Sequence, residues 1–237
     1  MNTIEIGLIG KPNTGKSTLF SAITLMDVPI ANYPFTTLDA HVGIGYVKVN
    51  CVCTEFGVKD NPRNSFCIDG KRFIPIKVID TAGLVKDAWK GRGLGNLFLD
   101  RVSRADALIH VVDASGSTNE DGEPIPPGTH DPVKDVELIH NELIRWIYGI
   151  IIKDWSDIVK RISIRRSDPT ETLFNKLSGL KFSKFLIATA YDKIRAEYGP
   201  LNKWGEEQIL SFTKVLLERG KPIVIAANKI DYPASRY

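Results

Sequence analysis

Cysteine is scarce in this 237-residue chain: Cys51, Cys53 and Cys67 are the full complement, an odd number without framework spacing. That excludes a disulfide scaffold and fits a reducing compartment. Long apolar runs are missing as well. No stretch approaches the roughly 20 residues a membrane-spanning helix needs, and Ile4 to Ile9 is a strand's length, too short for the core of a signal peptide. These absences predict a cytoplasmic protein with no membrane partner. Charge of one sign is also in short supply, since 31 Lys and Arg stand against 28 Asp and Glu. A net charge of +3 does not force DNA or another polyanion on the chain as a whole. Internal repeats and low-complexity segments are absent.

What is present is alternation. Apolar, β-branched runs at Thr3 to Ile9, Phe73 to Ile79, Ala107 to Val112 and Pro222 to Ala226 read as buried parallel strands. Helical patterns at Lys16 to Met26, Leu94 to Ser103 and Leu201 to Arg219 lie between them, and the stretch from Thr36 to Phe73 supplies a further strand pair as a hairpin. This is the order of a doubly wound, mostly parallel α/β sheet. Between Asp113 and Leu201 the alternation fails. Gly116 to Thr129 reads as a loop; Asp131 with Pro132 then starts a helical pattern that, continuous to Arg165, would span roughly 50 Å. Asp168, Pro169 and Glu171 cap a second helix, so the expectation is a coiled-coil-like helical hairpin over residues 132–199 inserted into an α/β domain of residues 1–131 and 200–237.

The chemistry sits at strand ends. Gly10-Lys11-Pro12-Asn13-Thr14-Gly15-Lys16-Ser17, followed by Thr18, matches the phosphate-loop pattern between a predicted strand and a predicted helix. In that pattern glycines let successive N–H groups point at a β-phosphate, Lys16 bridges the β- and γ-phosphates, and Ser17 ligates magnesium. Asp80-Thr81-Ala82-Gly83 follows the strand ending at Ile79, where Asp80 holds the metal through water and the Gly83 N–H reaches the γ-phosphate. Asn228-Lys229-Ile230-Asp231 ends the last strand. The Asp231 carboxylate accepts from the imino N–H and the amine of guanine, a donor pair adenine lacks, while Lys229 lies along the base and Asn228 ties this loop to the phosphate loop. The ligand is therefore GTP or GDP with Mg2+.

Together these motifs resemble the Obg family of P-loop GTPases, closest to its YchF-related branch, over nearly the whole chain. The resemblance also rests on Asn32-Tyr33-Pro34-Phe35-Thr36-Thr37, on Lys90-Gly91-Arg92-Gly93-Leu94-Gly95 and on the helical insertion. It implies that Phe35, Thr36 and Thr37 form a first switch, with Thr37 ligating magnesium and sensing the γ-phosphate. It further implies GTP hydrolysis as a molecular switch, with Lys16, Thr37 and Gly83 catalytic, and a ribosome-associated role. YchF proteins typically end the base motif in glutamate and prefer ATP, which keeps an ATPase as the competing reading against the Lys229 and Asp231 of this chain. The sequence stops at Tyr237, before the last base-contacting loop and the C-terminal TGS domain of resembling proteins, and so reads as a fragment. Leu84 stands where many GTPases carry a water-orienting glutamine, which predicts slow intrinsic turnover. In GTPases that resemble this one, an asparagine at the place of Asn13 helps hold potassium, so K+ is an expected activator.

Two weaker constellations remain. Cys51, Cys53 and Cys67 either hold zinc with His41 or Asp60 as a fourth ligand or are half-buried cysteines of a strand pair. The segment 132–199 holds 12 Lys and Arg against 9 Asp and Glu, which accounts for the whole net charge. Lys160, Arg161, Arg165 and Arg166, with Trp155 close by, are either a contact for rRNA phosphates or a solvated helical face, the former making a nucleotide-set ribosome-binding module the reading from another class. His110 is expected to be a satisfied core histidine, and His130 has no assigned role.

Overall fold

A computed structural model describes residues 3–24, 41–90 and 95–236. In chain order it contains β1 (Glu5–Ile9), α1 (Lys16–Thr24), β2 (Val42–Asn50), α2 (Cys53–Phe56), β3 (Phe66–Ile68), β4 (Lys71–Asp80), α3 (Gly95–Arg104), β5 (Ala107–Asp113), α4 (Pro132–Ile152), α5 (Trp155–Arg165), α6 (Pro169–Leu177), α7 (Lys184–Tyr198), α8 (Glu206–Gly220) and β6 (Ile223–Asn228). The sheet runs β2-β4-β1-β5-β6, with β3 also on β4. Pairs β4–β1, β1–β5 and β5–β6 are parallel. This is the arrangement of a P-loop GTPase domain, with β1 central and its carboxyl end opening between β4 and β5.

The expected strand pair between residues 36 and 73 exists, but its members do not pair with each other. Both β2 and β3 run antiparallel to β4, which reaches beyond β1 and offers its first residues to β3. β6 follows β5 as expected yet is not buried: Val224 and Ile225 are exposed, because β6 pairs only with β5 among the described residues.

The long helix expected from Pro132 to Arg165 is broken. Asp131 and Asp168 cap as their sequence context demands, accepting from Val133 N and Glu171 N. α4 ends at Ile152, its last helical bond running from Lys153 N to Gly149 O, and Trp155 begins a redirected α5 that stacks on Trp204, ring centroids 6.5 Å apart. Lys176 of α6 pairs with Asp154 at the break. These helices do not stand away from the sheet. Ile139, Leu143, Ile147 and Ile151 of α4 are fully buried in one cluster with Ile9, Leu108, Phe212 and Leu216.

Candidate nucleotide-binding site

The turn from β1 into α1 requires left-handed backbone, with φ of 147° at Gly10, 60° at Asn13 and 96° at Gly15. A Cβ on Gly15 would sit 2.2 Å from Asn228 Nδ2, so the absent side chain lets the base loop close on the phosphate loop. Asn228 Nδ2 then donates to Thr14 O at 2.8 Å. The Asp80 turn is laced to the same place. Thr81 Oγ1 donates to Leu8 O at 2.5 Å, Leu84 N donates to Gly10 O at 3.0 Å, and a Cβ on Gly83 would meet Pro12 at 2.7 Å. Three strand ends thus present their motifs to one another.

Lys16 Nζ is buried and donates to Lys11 O at 2.7 Å. Burial lowers its pKa to about 8 against the opposing charge of Asp80. Ser17 Oγ donates to Asp80 Oδ2 at 2.7 Å, while Asp80 Oδ1 is buried without a hydrogen-bond partner among the described residues. A hydroxyl in contact with a carboxylate that keeps one oxygen unclaimed is the hard-oxygen donor set magnesium takes. Arg101 Nη1 fixes the end of β4 by donating to Asp80 O at 2.8 Å.

Sequence reasoning passed over the segment 114–131, which is not a free connection. Thr118 and Asn119 give their carbonyls to Lys11 Nζ, each at 2.8 Å, and Gly122 O accepts from Asn13 Nδ2 at 2.9 Å. Lys11 also pairs with Asp135 at 2.7 Å, so its ammonium serves this strap, and its main chain is what the loop offers a phosphate. His130 has a partner after all, Asp135, at 2.7 Å. Behind the strap lies Asp113, fully buried. Burial works to raise its pKa, but donors from Ser115, Lys229, Thr118 and Ser117 hold it down at about 2. Lys229 reaches it at 2.9 Å and Ser117 Oγ at 3.1 Å from a left-handed backbone, φ 59°, so its ammonium is anchored while Asp231 stands exposed. The signal for this network was the set of positive-φ glycines, Gly116, Gly122 and Gly128, in a segment that looked merely loop-like.

His110 departs from expectation. His110 is buried, yet neither ring nitrogen has a hydrogen-bond partner among the described residues, and His140 of α4 lies 6.1 Å away between ring centroids. Burial, then the neighbouring charges of His140 and Lys16, lowers the pKa of His110 to about 3. Phe35, Thr36 and Thr37 lie outside the described residues, as do Gly91, Arg92, Gly93 and Leu94. Trp155 is packed on Trp204, while Lys160, Arg161 and Arg166 are exposed.

A phosphate loop, an Asp-x-x-Gly turn and an Asn-Lys-x-Asp loop, at the carboxyl ends of β1, β4 and β6 in this sheet order, define a P-loop GTPase domain. The comparisons narrow that class: residues 5–143 match the model of the 50S ribosome-binding GTPase family. The chain belongs to that family, and within it to the Obg-like, YchF-related branch. It is 48% identical over 228 residues to an uncharacterized GTP-binding protein of Methanocaldococcus jannaschii, covering 96% of this chain and 56% of the relative. With the ribosome-binding ATPase YchF of Mycoplasma pneumoniae it shares 41% over 229 residues, 95% of this chain and 56% of that one. The solved GTP-binding protein from Pyrococcus horikoshii aligns with a TM-score of 0.78 at 36% identity, over 96% of this chain and 57% of that chain. The chain therefore spans somewhat over half the length of these relatives. Among the described residues, no helix is long and apolar enough to cross a membrane.

Proposed function

We propose that this chain binds guanine nucleotide with magnesium and hydrolyses GTP to GDP and phosphate as a slow molecular switch in the cytoplasm. The guanine assignment rests on the Asp231 carboxylate, which matches the donor pair of guanine, and the observation that supports it is the bond from Asn228 to Thr14 O, which holds the Lys229 to Asp231 loop against the phosphate loop. Lys16 would neutralise charge on the β- and γ-phosphates, and the Gly83 N–H would receive the γ-phosphate. Ser17 and Asp80 would hold magnesium, with Thr37 as a further ligand; bound there, the ion supplies charge neutralisation across the phosphates. Leu84, almost fully buried, cannot orient the attacking water, which supports slow turnover. Residues 132–199 are proposed as the unit that reads the nucleotide state for the ribosome, through Lys160, Arg161 and Arg166 on its exposed faces.

A second reading, ATP hydrolysis, is favoured by relatives such as the ribosome-binding ATPase YchF of Mycoplasma pneumoniae. Displacement of a fluorescent nucleotide separates the two. GDP should compete at lower concentration than ADP, and Asp231→Ala should erase the preference; stronger displacement by ADP would replace the guanine reading with the adenine one.

A further inference from the structure

Away from the nucleotide site, the excursion between β2 and β4 brings together three thiols and a carboxylate. We propose that Cys51, Cys53, Cys67 and Asp60 form a tetrahedral site for a divalent ion of borderline softness, zinc, which holds this excursion folded.

The three sulfurs come from three places: Cys51 just past β2, Cys53 opening α2 and Cys67 inside β3. They nevertheless lie within 4.8 Å of one another, and Cys53 Sγ and Cys67 Sγ are 3.6 Å apart. Two thiolates sharing one zinc at about 2.3 Å stand about 3.8 Å from each other, so the cluster needs little rearrangement to close on an ion. Asp60 Oδ2 is 3.0 Å from Cys51 Sγ and supplies the fourth ligand. Arg72 donates to the same carboxylate, an outer contact that orients it and offsets part of the negative charge of three thiolates. His41 is excluded from the site. It precedes β2, whereas Cys51 follows it, and a strand of nine residues separates them by roughly 30 Å.

Beyond the pairing of β3 with β4, the packing of Phe66 on Tyr46 and Phe73, and the pairing of Arg72 with Asp60, the excursion has little support of its own. α2 has four residues and β3 three; Val52, Phe56, Val58 and Ile68 are exposed, and between residues 51 and 70 only Cys51 is buried. A segment with so little apolar burial commonly needs a cross-link or a metal to hold one conformation. A disulfide between Cys53 and Cys67 would leave Cys51 and Asp60 unused, whereas one zinc engages all four.

The test is titration of the reduced, metal-stripped full chain with cobalt(II) as a spectroscopic probe. One equivalent should give a thiolate-to-cobalt charge-transfer band and the visible bands of tetrahedral cobalt, both erased by one equivalent of zinc. Cys67→Ser should weaken metal binding roughly tenfold or more, and Asp60→Asn by a similar factor. Because a variant could misfold, alkylation of the unaltered chain supplies the second measurement: zinc should protect all three thiols from iodoacetamide together. No cobalt bands and equal alkylation with and without zinc would overturn the site. So would a Cys53–Cys67 disulfide that forms in air and that zinc does not prevent.

Discussion

Asn13 is an exposed residue of the phosphate loop whose amide nitrogen is already bonded, to Gly122 O at 2.9 Å. A potassium site there would draw on the amide oxygen, so strap and cation would use opposite ends of one group. The expectation is that potassium accelerates GTP hydrolysis over sodium at matched ionic strength, by roughly tenfold or more if the ion takes the place of a missing charged donor. Asn13→Ala should abolish the difference. Equal rates in the two salts would remove potassium from the mechanism and leave Asn13 as a strap residue alone. The double role was half legible. An asparagine tolerates left-handed backbone, which the loop pattern implies, but its partner lies 109 residues away in a segment with no pattern of its own.

At the scale of elements, the nucleotide machinery is joined to α4 by the Lys11–Asp135 pair and by Glu142. Its Oε1 accepts from Asp87 N at 2.8 Å and its Oε2 from Trp89 N at 3.1 Å, capping the short turn Ala88–Lys90 that follows the Asp80 motif. Glu142→Ala leaves two main-chain donors without their acceptor, a cost of about 1–3 kcal/mol concentrated in that turn. Hydrogen exchange of a peptide spanning residues 84–90 should then quicken by roughly tenfold while peptides from β1 and β5 keep their protection. Unchanged exchange would mean that the carboxylate does not hold the turn. Sequence showed where α4 begins, because Asp131 and Pro132 are local signals. It did not show where α4 ends. The stop at Ile152 has no proline or glycine to mark it, and its cause is tertiary, the stacking of Trp155 on Trp204 and the pairing of Asp154 with Lys176. For the same reason the buried Lys221, which donates to Ser103 O and Ala105 O below α3, reads in sequence as one more surface charge.

Across the whole molecule, sheet and helices form one core, and His110 and His140 sit where β5 meets α4. The parallel strands β1, β4 and β6 were legible because a motif marks the end of each; the pairing of β2 and β3 with β4 was not, and neither was this joint, since a histidine inside an apolar strand gives no sign of whether it finds a partner. The consequence is a pH dependence with a fixed sign. In the unfolded chain His110 titrates near 6.5, but in the folded chain burial lowers it to about 3. Below pH 6.5 the unfolded state therefore takes up a proton that the folded state refuses, and stability falls as pH drops, by up to about 1.4 kcal/mol per unit, levelling only below the folded value. His140, also lowered by burial, adds to the same slope. Asp113, held at about 2, adds a further loss only as pH falls through the carboxylate range. Urea unfolding at pH 7.5 and pH 5 should thus show a loss of about 2 kcal/mol attributable to His110. His110→Leu should remove most of the slope above pH 5 and leave the share of His140. If the variant loses stability in parallel with the unaltered chain, His110 accepts its proton without unfolding, and the joint between sheet and helices is open enough to hydrate it.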